Sequence, residues 1–147
     1  TDDPLYILNE SKKAEKKIKQ YIDEIKLEYK LKNSQICISG FSQGCMMSLI
    51  IGLTSDESFN CIVGFSGKIL DKNDLSARIK KKTNILMLHG DEDQIVSPSS
   101  LLDAKDFFIR HKINIDTLMV KNCGHHIPIE ASSAALNFIK KNLINKN

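Results

Sequence analysis

Short apolar runs alternate with helix-type patterns along the whole chain, and that alternation restricts the fold more than any other feature. Gln35 to Ser39, Cys61 to Phe65, Asn84 to His89 and Ile115 to Val120 are rich in β-branched and apolar residues and read as buried strands. Between and around them lie helical patterns. Ser11 to Leu31 places Ala14, Ile18, Tyr21, Ile22, Ile25 and Tyr29 on one face, with lysines and glutamates opposite. Gln43 to Leu53 is apolar nearly all round, with small residues recurring at Gly44, Ser48 and Gly52, as suits a helix lying close to a sheet. A short helix is expected around Leu75 to Ile79. Ser97 and Pro98 form an N-cap and first-turn pair for a helix reaching about His111. A last helix, Glu130 to Asn142, carries Ala131, Ala134, Ala135, Phe138 and Ile139 at helical spacing. Strand–helix alternation implies parallel strands joined by right-handed crossovers. The expectation is a single α/β domain over residues 1–147, with about four parallel strands and helices on both faces.

In such sheets the loops after the C-terminal ends of the strands meet the ligand. Three of these loops hold reactive residue types: Ser42 after the first strand, Asp91 and Asp93 after the third, His125 and His126 after the fourth. Ser42 sits in Gly40-Phe41-Ser42-Gln43-Gly44, a G-x-S-x-G pattern between a buried strand and a buried helix. A nucleophile at that junction occupies a tight, strained turn, and the flanking glycines let the backbone pass close to its neighbours. The helix N-terminus behind Ser42 favours developing negative charge, and the Gln43 N–H can point at an oxyanion. The pentapeptide alone occurs by chance in about one chain in twenty of this size. The order serine, then acid, then histidine adds independent weight, because it is the α/β-hydrolase order and not that of chymotrypsin or subtilisin.

Gly40-Phe41-Ser42-Gln43-Gly44, His89-Gly90-Asp91-Glu92-Asp93 and Gly124-His125 together resemble the carboxylesterase/phospholipase family of α/β-hydrolases, which includes the acyl-protein thioesterases. The likeness covers nearly the whole chain. It implies a serine hydrolase of carboxylic esters or thioesters, with Ser42 as nucleophile, Asp93 as orienting acid, His125 as general base and Gln43 as an oxyanion donor. By the family motif the acid stands three residues past the glycine, which favours Asp93 and leaves Asp91 to order the turn. The base directly follows a glycine, which favours His125 over His126. His89, at a strand end, reads as a packed or hydrogen-bonded structural histidine. Cys45 departs from the small residue usual after Gly44.

Composition narrows the alternatives. The net charge of +3 comes from 19 Lys and 2 Arg, scattered over faces that also hold acids, and Lys80-Lys81-Lys82 is the one dense run. With few aromatics among the lysines, nucleic-acid binding is not expected. The longest nearly apolar stretch, Cys45 to Leu53, is too short to span a membrane. Nothing reads as a secretory leader, and the four cysteines form no C-x-x-C pair. They are expected to be buried thiols in a reducing, cytoplasmic setting. No cofactor is expected. Cys123, His125, His126 and His89 are ligand types, but adjacent histidines point in different directions, so no metal site is expected.

The family resemblance also implies something absent. Its members begin with several strands and an L-H-G-type loop that supplies a second oxyanion N–H, whereas here Gly40 is the first glycine. Since the chain opens on Thr1, the expectation is an N-terminally truncated hydrolase. Loss of one oxyanion donor costs about 3–4 kcal/mol of transition-state stabilisation. An inactive remnant that only folds or self-associates is therefore the alternative reading. The first strand is left without an outer partner, so a second copy or the missing segment is expected to cover it.

Overall fold

The structure, a computed structural model, describes residues 3–145. Its centre is a four-stranded parallel sheet in the order β1-β2-β3-β4: β1 is Cys37–Phe41, β2 Cys61–Phe65, β3 Ile85–Gly90 and β4 Ile115–Val120. Five α-helices surround it: α1 Pro4–Tyr29, α2 Gln43–Thr54, α3 Lys72–Arg78, α4 Ser99–Arg110 and α5 Ile129–Asn145. The expected fold class is thus the observed one.

A strictly sequential strand order with right-handed crossovers puts all the connecting helices on one face. The period-2 alternation of the strands then sorts their side chains. Ile62, Ile85 and Met87 join Leu49 and Leu53 of α2 and Phe107 and Phe108 of α4 in one core cluster. Val63, Leu86 and Leu88 face the other way and pack with Ala131 and Ala135 of α5. Cys45 is fully buried in the first cluster. A Cβ on Gly64 or Gly67 would stand 2.5 Å from Cys45 atoms, so those two glycines make the room this side chain needs. Gly52 has the same relation to Ile62, 2.3 Å away, whereas a Cβ at Gly44 would meet nothing within 4 Å. The small-residue stripe therefore serves packing at Gly52 and not at Gly44.

Several boundaries differ from expectation for local reasons. β1 begins at Cys37, because Asn33–Gln35 forms a 3-10 turn, and it runs on through Gly40 and Phe41. α1 starts at Pro4, where Asp3 accepts the N–H of Leu5 and proline takes the first turn. Its apolar face is only half used: Tyr21 and Tyr29 are exposed, and the one buried residue is Glu15, paired with Arg78 and Lys19. Pro98, not Ser97, stands at the N-cap of α4, although Ser97 Oγ still accepts the Ser99 N–H at 3.3 Å.

At the N-terminal end of the sheet, asparagines precede β2, β3 and β4. Asn114 Nδ2 donates to Asn84 Oδ1 at 3.3 Å, and Asn84 Nδ2 donates to Asn142 Oδ1 at 2.9 Å, tying the end of α5 to the strands. At the opposite edge, the bonds Asn60 N–H to Ile36 O and Ser42 N–H to Phe65 O set the parity of β1. Its even-numbered residues bond to β2. The peptide groups of Cys37, Ser39 and Phe41 point outward, and among the described residues no second strand meets them.

Candidate active site

The loops after β1, β3 and β4 converge at the C-terminal edge of the sheet. Ser42 is the single residue between β1 and α2, with φ 57° and ψ −114°. That left-handed φ is uncommon for a residue with a side chain and marks stored strain. Close packing maintains it: a Cβ on Gly40 would lie 2.1 Å from the Gly44 carbonyl oxygen. The Ser42 N–H is anchored to Phe65 O at 2.8 Å. The first bond of α2 runs from Met46 N–H to Ser42 O at 3.2 Å, so the Gln43 N–H precedes it as one of the helix's unsatisfied terminal donors.

Asp93 lies in the irregular loop beyond Gly90, with its side chain fully enclosed. Oδ1 accepts the N–H groups of Ile95 at 2.8 Å and Val96 at 2.9 Å. Oδ2 accepts His125 Nδ1–H at 2.7 Å, which leaves Nε2 to accept the Ser42 hydroxyl proton at 3.1 Å. Burial by itself would raise the Asp93 carboxyl. The hydrogen bonds from His125 and from the Val96 and Ile95 amides outweigh it and hold the group below the ordinary carboxylate range. His125 keeps 17% of its side-chain surface open, and the Phe41 ring packs on it with centroids 4.7 Å apart. The structure therefore brings Ser42, Asp93 and His125 into one hydrogen-bonded chain.

The neighbouring candidates lie elsewhere. Asp91 Oδ1 accepts the Cys123 N–H at 3.3 Å and so braces the turn before Gly124. His126 is exposed and reaches Cys123 Sγ at 3.8 Å, not Ser42. His89 is buried and donates from Nε2 to Val96 O at 2.9 Å. Burial pushes the Cys45 thiol up to about 12, which removes it as a nucleophile at neutral pH. Among the described residues no group of three or more His, Cys, Asp or Glu side chains is placed to share a metal ion. No helix among them is long and apolar enough to cross a membrane.

Gln43 also lines an apolar groove of about 420 Å³ with Tyr6, Ile7, Met46, Met47 and Leu70. The sequence offers Ile69, Leu70, Leu75, Ile95 and Ile127 as apolar candidates for a pocket lining, and of these Leu70 is in this groove. Ile69 and Leu75 are core residues, and Ile95 and Ile127 are exposed. Phe41 and the amides of Ile95 and Val96 were not marked by the sequence pattern. Only Phe41 carried a signal, its place inside the pentapeptide.

Known proteins resemble this chain in sequence and in fold. Residues 6–143 match the model of the phospholipase/carboxylesterase family. An acyl-protein thioesterase 1 from Saccharomyces cerevisiae is 32% identical over 142 residues, covering 92% of this chain and 60% of that protein. One from Yarrowia lipolytica is 29% identical over 115 residues, covering 75% of this chain and 51% of the relative. The chain thus spans about half the length of the curated relatives it matches. Among solved structures, esterase PE8 superposes with a TM-score of 0.90 at 28% identity, covering 96% of this chain and 66% of that one.

Proposed function

The chain belongs to the phospholipase/carboxylesterase family of α/β-hydrolases, and from that premise we propose that it is a serine hydrolase cleaving carboxylic esters or thioesters, with acyl-protein or lysophospholipid substrates as the class. The observation that carries the reading is the pair of contacts on one imidazole, 3.1 Å to Ser42 Oγ and 2.7 Å to Asp93 Oδ2. His125 Nε2 takes the Ser42 proton as Oγ attacks the acyl carbonyl. Asp93 holds the tautomer that leaves Nε2 free and stabilises the imidazolium that forms. The Gln43 N–H, at the positive end of α2, receives the oxyanion. His125 then returns its proton to the departing alcohol or thiol, leaving Ser42 acylated. A water activated by the same Nε2 releases the acid and restores the hydroxyl. The groove beside Gln43 is apolar and of a size that suits an acyl chain.

In this reading residues 1–147 act as one domain in the cytoplasm, on a small acyl substrate and with no cofactor. The outward peptide groups of Cys37, Ser39 and Phe41 take a further strand, from a second copy or from another segment of the same polypeptide. Sedimentation of residues 1–147 as a concentration-independent monomer contradicts pairing with a second copy. Hydrolysis of p-nitrophenyl butyrate and of a palmitoyl thioester tests the activity. The expected result is turnover of at least one of them that disappears in Ser42→Ala. Folded protein that turns over neither favours the inactive-remnant alternative.

A further inference from the structure

One buried side chain beside this site is not explained by packing. His89, the penultimate residue of β3, is 1% exposed. Its Nε2–H donates to the Val96 carbonyl at 2.9 Å and stands 3.4 Å from Asp93 Oδ2, the oxygen that accepts His125 Nδ1–H. Val96 gives its own N–H to Asp93 Oδ1 at 2.9 Å, so His89, Val96 and Asp93 close a ring. The other ring nitrogen, Nδ1, is buried without a hydrogen-bond partner. An orphaned buried acceptor is destabilising, and an apolar residue of similar shape avoids it. The return for keeping a histidine here must come from Nε2.

The surroundings show what that return is. Residues 91–98 have no regular secondary structure; the Asp91 N–H bonds to Val120 O at 2.9 Å at the start of the loop, and the backbone of Asp93 itself meets the sheet through its N–H to Gly90 O at 3.3 Å. Its carboxylate orientation is otherwise set by the Ile95 and Val96 amides of the same loop and by His125 Nδ1–H. His89 is held by a central strand paired on both sides. It is the contact through which the rigid sheet holds that loop at Val96.

We propose that His89 is a positioning residue: its Nε2–H, set between the Val96 carbonyl and the Asp93 carboxylate, keeps Asp93 aligned with His125. The proposal rests on the triad reading above and adds a fourth residue to it. Site residues on flexible segments need such outer support, because small misplacements cost large factors in rate.

The test compares His89→Leu, His89→Phe and His89→Gln with the parent protein. Glutamine can present an amide N–H near the position of Nε2; leucine and phenylalanine cannot. In the apolar variants kcat is expected to fall about ten- to a hundredfold with KM within about twofold, and His89→Gln is expected to recover most of the loss. The low-field proton resonance of His125 Nδ1–H gives a readout independent of turnover. It should weaken or move upfield in both apolar variants and persist in His89→Gln. Equal impairment of all three variants in step with lowered Tm overturns the proposal, as does an unchanged kcat and resonance in either apolar variant that folds. If the parent protein shows no Ser42-dependent turnover, the hydrolase reading fails, and the resonance comparison still decides whether His89 aligns Asp93.

Discussion

Gly90 ends β3 beneath the loop that carries His125, and one added methyl group there perturbs the site without altering any of its three side chains. A Cβ at this position would lie 2.2 Å from the Cys123 carbonyl oxygen, 2.5 Å from that of Gly124 and 2.7 Å from the Cys123 carbonyl carbon. Ordinary contacts begin at 3.4 Å, so in Gly90→Ala the loop must retreat by about 1 Å. The neighbours are backbone, not the ends of flexible side chains, so rotamer changes offer no relief. His125 follows directly on Gly124. A shift of that size stretches its 3.1 Å contact with Ser42 Oγ beyond hydrogen-bond range. Overpacking of this kind costs about 1–3 kcal/mol of stability. Misplacing a reacting group by about 1 Å costs on the order of a hundredfold in rate. Steady-state hydrolysis of p-nitrophenyl butyrate, with urea unfolding alongside, separates the two. The expected outcome is folded protein with kcat down about a hundredfold. A Gly90→Ala protein with unchanged kcat refutes the argument that this glycine sets the position of the His125 loop.

Asp93→Asn removes the carboxylate that orients His125 while keeping the shape of the side chain. It should lower kcat by about 10⁴ with the fold intact, as measured on the same ester. Because the native Asp93 carboxyl is held below its unfolded value, its contribution to stability is fully present above the ordinary carboxylate range. That contribution is lost as the pH falls through the lower native value. Thermal melts from pH 6 down to about pH 3 should therefore drop more steeply in the parent protein than in Asp93→Asn. Asn84→Ala leaves Asn114 Nδ2 and Asn142 Oδ1 without their shared partner and should cost about 1–3 kcal/mol in urea unfolding with little effect on kcat.

The elements most legible in the sequence were those whose pattern has one physical cause. β2 and β4 begin and end at the residues the apolar runs mark, since residues between turns and a crowded sheet have few other conformations. β1 slipped by two residues because Gly40 and Phe41 look like turn residues. In fact a single strained position, Ser42, makes the whole turn, and the strand can run up to it. The N-terminal two turns of α1 lie outside the helical pattern that begins at Ser11, although Asp3-Pro4 carries the same kind of cap signal as the start of α4. Its aromatic residues Tyr21 and Tyr29 fall on the apolar face of the helical pattern, but α1 packs mainly against α2, with ion pairs to α3, and leaves both exposed. In the site, Ser42, Asp93 and His125 were legible because each follows a strand, and position after a strand is a sequence property. The preference for Asp93 over Asp91 rested on the family motif, and the residues by themselves left the choice open. It depends on which carboxylate turns inward, and Asp91 turns instead to the Cys123 N–H. Phe41 against His125, the Ile95 and Val96 amides on Asp93, and the contact of His89 with Val96 arise from loop conformations that a residue pattern does not encode.

The most direct measurement is peptide mapping after treatment with a fluorophosphonate, which reacts covalently with an activated serine. The account predicts a single adduct on Ser42, absent in Ser42→Ala and strongly slowed in His125→Ala. Folded protein that stays unlabelled, or that carries the adduct on a different residue, contradicts it.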